Sequence, residues 1–303
     1  MNKNNVIITG VPRSGTTLAC YLLNKVPNML ALHEPMEVAE FAKLSDDQIC
    51  KKINDFFFQN RKSLLENKTV ISRHVGGKIP SNIVGLSLSQ QIRAFPKQFI
   101  GSFMGLKLNP KRKLRKAIAV SGEIRIDKEL SPDFILCLKH PAAFSAKLDI
   151  LMNHFPSYAI IRNPLSVLAS WNTVKFMWDG HSLIAESLDI SLANTLSRIN
   201  DRIERQLYLL SWFFEKYYSI LPVEHIIKYE NIVYSGGRAL QIIAEQACTL
   251  NEALDSKNKN KVYDKEFVIS VGERLLNTSG AYWEFYKKES VEMLLQEFEE
   301  KNS

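Results

Sequence analysis

No apolar run in this 303-residue sequence reaches the roughly 18 residues that a bilayer-crossing helix needs, so no membrane span is expected. The chain also enters a strand pattern almost at its first residue, which leaves no room for a secretory signal and makes a cytoplasmic protein the expectation. Cysteine is scarce. Cys20, Cys50, Cys137 and Cys248 lie far apart without a C-x-x-C pair, which argues against a disulfide framework and predicts mostly buried free thiols in a reducing compartment. His33, His74, His140, His154, His181 and His225 show no ligand spacing, so no metal is expected. Negative charge is missing from one long stretch: between Lys68 and Gly122 there is no Asp or Glu. Lys68, Arg73, Lys78, Arg93, Lys97, Lys107, Lys111, Arg112, Lys113, Arg115 and Lys116 fall there, so the net charge of +7 belongs to this segment and the remainder is net acidic. Such a segment is either a solvated face or a patch that steers an anionic cofactor or substrate. Without a zinc-finger, helix-turn-helix or aromatic RNP pattern beside it, nucleic acid is not the expected partner.

What is present is led by Val6 to Thr17, VIITGVPRSGTT. Four β-branched or apolar residues run into Gly10, a turn carries Arg13 and Gly15, and Thr16-Thr17-Leu18 opens an apolar helix. Strand, glycine turn and helix N-terminus together make an anion site, because the turn directs successive N–H groups inward and the positive end of the helix dipole adds to them. Gly10 and Gly15 match the first half of a G-x-x-x-x-G-K phosphate loop, but Thr16 stands where that motif needs Lys, and the basic residue is Arg13. A nucleotide kinase requires that lysine and a magnesium-binding hydroxyl; this loop fits a phosphate without the kinase equipment.

The rest of the chain alternates strands and helices. The readings are a helix from Thr16 to about Lys25, a strand in LALHEP ending at Glu34-Pro35, and a helix capped by Ser45 with Asp46 and Asp47 in its first turn. Ile49, Ile53, Phe56 and Phe57 share one face of that helix, and the basic segment after it reads as helices and loops interrupted by Gly76-Gly77, Pro80, Pro96 and Pro110. Next come a strand in FILCLKH, a helix from Ala143 to His154, and a strand in YAIIR followed by a helix opened by Pro164. A long helix over about 192–221, a strand in VEHIIKYE, a helix over about 237–248, the polar loop SKNKNK and a closing helix over about 288–300 complete the pattern. This is an α/β fold with a central parallel sheet flanked by helices, one domain over 1–303 with residues 45–122 inserted as a helical, basic cap. Ligands of such sheets sit at the C-terminal ends of the strands, where Gly10 to Thr17, His33-Glu34, Lys139-His140, Arg162 and Tyr229-Glu230 should converge.

GVPRSGTTL resembles the 5′-phosphosulfate loop of sulfotransferases that use 3′-phosphoadenosine 5′-phosphosulfate (PAPS), and RNPLSVLAS, with Arg162 and Ser170 eight apart, resembles their 3′-phosphate motif. The resemblance covers Val6 to Pro35 and Phe134 to Trp171 well, Val223 to Ile232 modestly, and the basic segment not at all. It implies a fold related to the P-loop kinases. It also implies that Pro12, Arg13, Ser14, Gly15, Thr16 and Thr17 hold the 5′-phosphate, that Arg162 and Ser170 hold the 3′-phosphate, and that Arg13 neutralises the leaving oxygen. For the base that takes the acceptor's proton it implies Glu34, as in the bacterial and Golgi-type enzymes, with His140 as the rival and Lys139 on the transferring sulfuryl group. Leu18 replaces the tryptophan that stacks on adenine in cytosolic members, leaving Tyr229, or less well Trp283, for that role. The C-terminal Arg-Lys-Gly triplet is missing, with Arg274 or Lys287 as candidate replacements, and Trp178 is a candidate for the acceptor pocket. The activity implied is transfer of a sulfuryl group from PAPS to a hydroxyl or amine of a small molecule or glycan, giving PAP without a metal, as in tailoring of natural products. An ATP-dependent kinase and a non-catalytic anion-binding module share the loop and are the alternatives.

Overall fold

The computed structural model describes residues 3–75, 83–85, 119–175 and 177–300. Its centre is a parallel sheet of five strands: β1 (Asn5–Gly10), β2 (Met29–His33), β6 (Ile135–Lys139), β7 (Ser157–Ile161) and β8 (Ile226–Lys228), ordered β2-β6-β1-β7-β8. Every residue of β1 is buried, and its side chains divide by the two-residue period of a strand. Ile7 packs with Leu32, Leu136 and Leu138 beneath Ile49, Ile53 and Phe57 of the helix Asp46–Asn67. Val6 and Ile8 pack on the other face with Ala31, Cys137 and Ile160 against Ala19, Cys20, Leu22 and Leu23 of the helix Thr16–Leu23. Apolar residues on both faces are what a sheet covered by helices on both sides requires. A third cluster joins Ala159 and Ile161 of β7 to helices Pro164–Trp171, Arg202–Ile220, Lys265–Leu276 and Lys288–Glu299.

The edge strand β2 completes its hydrogen bonds with side chains. Asn24 accepts from Ala31 N–H through Oδ1 and donates to Ala31 O through Nδ2, and Ser72 Oγ accepts from His33 N–H. An edge covered in this way offers no pairing row to another chain. Lys128 fixes the preceding turn by donating to the carbonyls of Asn24, Val26 and Met29.

The segment expected to hold only helices and loops contains strands at its described ends. β3 (Thr69–Val75), β4 (Ile83–Gly85) and β5 (Ala119–Ile126) form an antiparallel sheet ordered β3-β5-β4. The reason lies in a two-residue alternation masked by the basic side chains: Val70, Ser72, Ile124 and Ile126 are buried while Ile71 is exposed. Residues 76–82 and 86–118, the rest of the expected cap, lie outside the described residues.

Several expected helices are shorter. The one over 143–154 is two pieces, Pro141–Ala146 and Leu148–Leu151, and the long one over 192–221 divides into Ile190–Arg198 and Arg202–Ile220. The division falls at Asp201, whose carboxylate accepts from Glu204 N–H and starts a new helix. The helix expected over 237–248 is a pair of 3₁₀ turns, Arg238–Ile242 and Glu245–Thr249, and VEHIIKYE keeps only three strand residues before the helix Tyr229–Tyr234. The helix Lys265–Leu276 is capped by Asp264 and has no counterpart in the sequence reading. Among the described residues no helix is long and apolar enough to cross a membrane. Cys20, Cys50 and Cys137 are buried free thiols, while Cys248 is exposed.

Candidate active site

The glycine loop is shaped by backbone conformations few residues adopt. Gly10 has φ +148°, and a Cβ there would lie 2.3 Å from Ile160 O on the neighbouring strand. Gly15 has φ +95° and its missing Cβ would lie 2.5 Å from the Tyr229 ring. Between them Arg13 takes φ +76°, a left-handed conformation that costs a residue with a side chain on the order of 1–3 kcal/mol. The surroundings over-determine it: Ser14 N–H donates to Val11 O, Ser14 Oγ donates to Ile160 O, and Trp171 Nε1 donates to Pro12 O. Gly15 then starts the helix Thr16–Leu23 with no side-chain cap, so its first N–H groups are offered to a ligand rather than to the protein.

Two of the expected phosphate ligands meet at this loop. Arg13 Nε donates to Ser170 Oγ at 3.1 Å, across 157 residues of sequence. Arg162 is buried and tied by all three nitrogens: Nε to Asn258 Oδ1 at 2.8 Å, Nη1 to Arg13 O at 3.2 Å, and Nη2 to Tyr263 OH at 3.4 Å. Its guanidinium also lies 4.7 Å from the centre of the Tyr229 ring. Arg162 therefore braces the glycine loop from below as well as carrying charge. Tyr229, expected to stack on adenine, is buried between Gly15 and Arg162, with its OH accepting from Lys257 N–H, and supports the loop. Ser14, also expected at the 5′-phosphate, has its hydroxyl donating to Ile160 O within the fold.

Glu230, expected at this strand end, completes this side together with Asn258 and Tyr263, which the sequence did not single out. Glu230 accepts from Asn163 N–H and Asn258 Nδ2 through Oε1, and from Tyr286 OH through Oε2. Asn258 thus connects Glu230 to Arg162, and the polar loop SKNKNK is part of the site's frame. The adjacency of Glu230 to Tyr229 at a strand end was the available signal; nothing local in the sequence marks Asn258 or Tyr263.

The second half of the site is a row of side chains at the ends of β1, β2 and β6. Thr17 Oγ1 lies 2.8 Å from His33 Nε2, Lys139 Nζ lies 3.0 Å from the same nitrogen, and Lys139 Nζ donates to Glu34 Oε1 at 2.8 Å. Arg73 Nη1, from β3, donates to Glu34 Oε2 at 3.3 Å. Lys139 is 2% exposed. An ammonium can only donate, so His33 Nε2 is the acceptor in that contact. Glu34 is placed by a left-handed backbone, φ +47°, and by its N–H donating to Lys139 O at 2.8 Å. Burial pushes the Glu34 carboxyl up, but the charge of Lys139 and the hydrogen bond it donates outweigh this and hold it well below the usual carboxylate range.

His140 faces elsewhere. Met36 N–H donates to its Nε2 at 3.2 Å, and its ring meets Phe144 edge-on with centres 4.9 Å apart. Burial pushes its pKa down to about 3, with the charge of Glu34 opposing and those of Lys139 and Arg73 adding to the shift, so it stays neutral. That lone pair is engaged by the Met36 N–H, so the imidazole holds the backbone at Met36 in this arrangement.

The remaining candidates are distributed. Arg274 pairs with Asp201 and Glu204 at exposed positions of two helices. Trp283 donates to Thr278 O and packs on Tyr282, and Lys287 lines a surface cleft with it. Trp178 lies beneath the Arg202 guanidinium. The Cys20 thiol is pushed up to about 12 by burial, which leaves it unreactive beneath the site.

No family model matches the chain, and no curated protein sequence matches it. Among solved structures it is similar to the sulfotransferase domain from the curacin biosynthetic pathway, with 12% identity, 99% of this chain and 98% of that chain covered, and a TM-score of 0.36.

Proposed function

We propose that the chain is a PAPS-dependent sulfotransferase that moves a sulfuryl group to a hydroxyl or amine of a small molecule or glycan and releases PAP. The observation that carries this reading is the Thr17–His33–Lys139–Glu34 row, which sets an anion-binding helix terminus beside a buried lysine and a carboxylate. A phosphate loop alone suits many chemistries. A loop followed within one hydrogen-bonded row by a cation and an ionised carboxylate suits transfer of an anionic group to a protonated nucleophile.

The residues present fit the donor. The uncapped N–H groups of the helix Thr16–Leu23, the Thr17 hydroxyl and Arg13 would hold the 5′-phosphate. Ser170 and Arg162 would hold the 3′-phosphate, Arg162 being already fixed by Asn258 and Tyr263. The donor supplies the sulfuryl group; Lys139 would hold charge on it and Glu34 would take the proton from the acceptor. Glu34 starts as a weak base because it is paired, and it strengthens as Lys139 turns toward the sulfuryl oxygens.

Calorimetric titration with PAP, AMP and magnesium ATP tests the reading. Preference for PAP over AMP in the wild type, reduced by at least about tenfold in Arg162→Ala, supports it. Preference for magnesium ATP, or equal binding of PAP and AMP, sinks it.

A further inference from the structure

The charge row ends in a residue that sulfuryl transfer itself does not require. Arg73 lies on β3, outside the central sheet, and its strand is held against β2 by His33 N–H donating to Ser72 Oγ. Its guanidinium places Nη1 on Glu34 Oε2 and its side chain is 39% exposed, whereas that of Lys139, on the other oxygen of the same carboxylate, is 2% exposed. Lys139 is therefore enclosed in the row, and Arg73 is the cation at its mouth. A guanidinium carries five N–H donors in a planar fork, and this one commits a single contact of 3.3 Å to Glu34. Its Nε is buried without a hydrogen-bond partner.

We propose that Arg73 selects the acceptor, and that the acceptor carries a carboxylate or sulfate near the hydroxyl or amine that is modified; this rests on the sulfotransferase reading of the site. The argument is one of ion-pair exchange. Glu34 is paired on both oxygens, which makes it a poor base while the site waits. An acceptor anion that takes the Arg73 fork leaves Oε2 of Glu34 free to receive the acceptor's proton, and the guanidinium trades one carboxylate partner for another without being left unpaired. The new S–O or S–N bond then forms as the S–O bond to the phosphate breaks, the proton resting on Glu34 and the electron pair leaving on PAP. A neutral acceptor offers no such exchange and meets a carboxylate still held by Arg73. Charge on the surrounding sequence agrees: Arg73 belongs to the stretch from Lys68 to Gly122 that contains no Asp or Glu, so an incoming anion meets no fixed negative charge from it.

The test uses acid and neutral partners of one skeleton, 4-hydroxyphenylacetate with its methyl ester and galacturonate with galactose. Their binding to the PAP-loaded protein is followed by NMR, and PAP release from PAPS is measured alongside. The wild type is expected to bind the acids at least about tenfold more tightly than the neutral partners. Arg73→Gln is expected to lose that preference with unchanged PAP affinity, and Arg73→Lys, which keeps the charge but not the fork, to retain part of it. Equal binding of acid and neutral partners by the wild type, or an undiminished preference in Arg73→Gln, overturns the proposal. Failure of the wild type to bind PAP overturns the donor assignment instead, and is seen before any acceptor is added.

Discussion

The glycine loop and the charge row adjoin each other but are held by different forces. In the loop, Gly10, Arg13 and Gly15 all have positive φ, and the contacts that hold them end on backbone: Ser14 on Ile160 O, Trp171 on Pro12 O, Arg162 on Arg13 O. In the row, Thr17, His33, Lys139, Glu34 and Arg73 are linked side chain to side chain across four elements. A surface defined by backbone N–H groups changes little when one side chain is trimmed, but it fails if a turn cannot form. A row of charges behaves the other way: its geometry tolerates an isosteric replacement, and its chemistry does not.

The largest effect expected from this contrast is on turnover. Glu34→Gln keeps the shape and the acceptor oxygen for Lys139 while removing the charge, so kcat should fall by about 10²–10⁴-fold with PAP affinity retained. Normal turnover in that variant would remove Glu34 from the chemistry; loss of PAP binding together with turnover would show that the two regions do not divide as described. Gly15→Ala should do the opposite. A methyl group 2.5 Å from the Tyr229 ring at φ +95° should cost on the order of 1–3 kcal/mol in urea unfolding and weaken PAP binding, because the helix N-terminus cannot take its place. An alanine variant with wild-type stability would mean that the loop relaxes easily, against a conformation-defined site.

The smallest effect concerns acid. His140 has a folded pKa of about 3 against an ordinary value of 6.5, so between these values the unfolded chain binds a proton that the native protein does not. Stability should therefore decline as pH falls from 6.5 toward 3. His140→Gln, which keeps an acceptor for Met36 N–H, should show a flatter decline in urea midpoints measured at pH 7, 5.5 and 4.5. An identical slope in both proteins would mean that His140 is not the buried neutral group described. Glu34 remains ionised across this range, so its pairs with Lys139 and Arg73 persist while His140 costs stability.

Much of the central sheet could be read locally, because an apolar strand, a glycine turn and a helix start lie in consecutive residues. Val6 to Thr17 and Tyr158 to Ser170 each carry strand and helix signals together, Phe134 to His140 carries a strand signal, and these strands fall where expected. The antiparallel strands β3 and β5 escaped notice because they pair across 119–126 and 69–75, and exposed basic residues blur their alternation. The break at Asp201 was hidden for a related reason: helical periodicity runs through it, and only the capping hydrogen bond decides that one helix ends.

For the candidate site, the sequence by itself determined which residues stand at the strand ends, since strand order along the chain and two-residue periodicity place Arg13, Thr17, Glu34, Lys139 and Arg162 there. Which way each side chain faces was decided only by tertiary structure. Lys139 and His140 are neighbours in sequence, yet one turns to Glu34 and the other to Met36 N–H, because successive residues leaving a strand point to opposite sides. Tyr229 and Ser14 turned inward because Gly15 and Ile160 offered packing and a carbonyl that only the folded chain brings near. Arg73 reached Glu34 through the placement of a second sheet, a contact between residues 39 apart that no local pattern encodes.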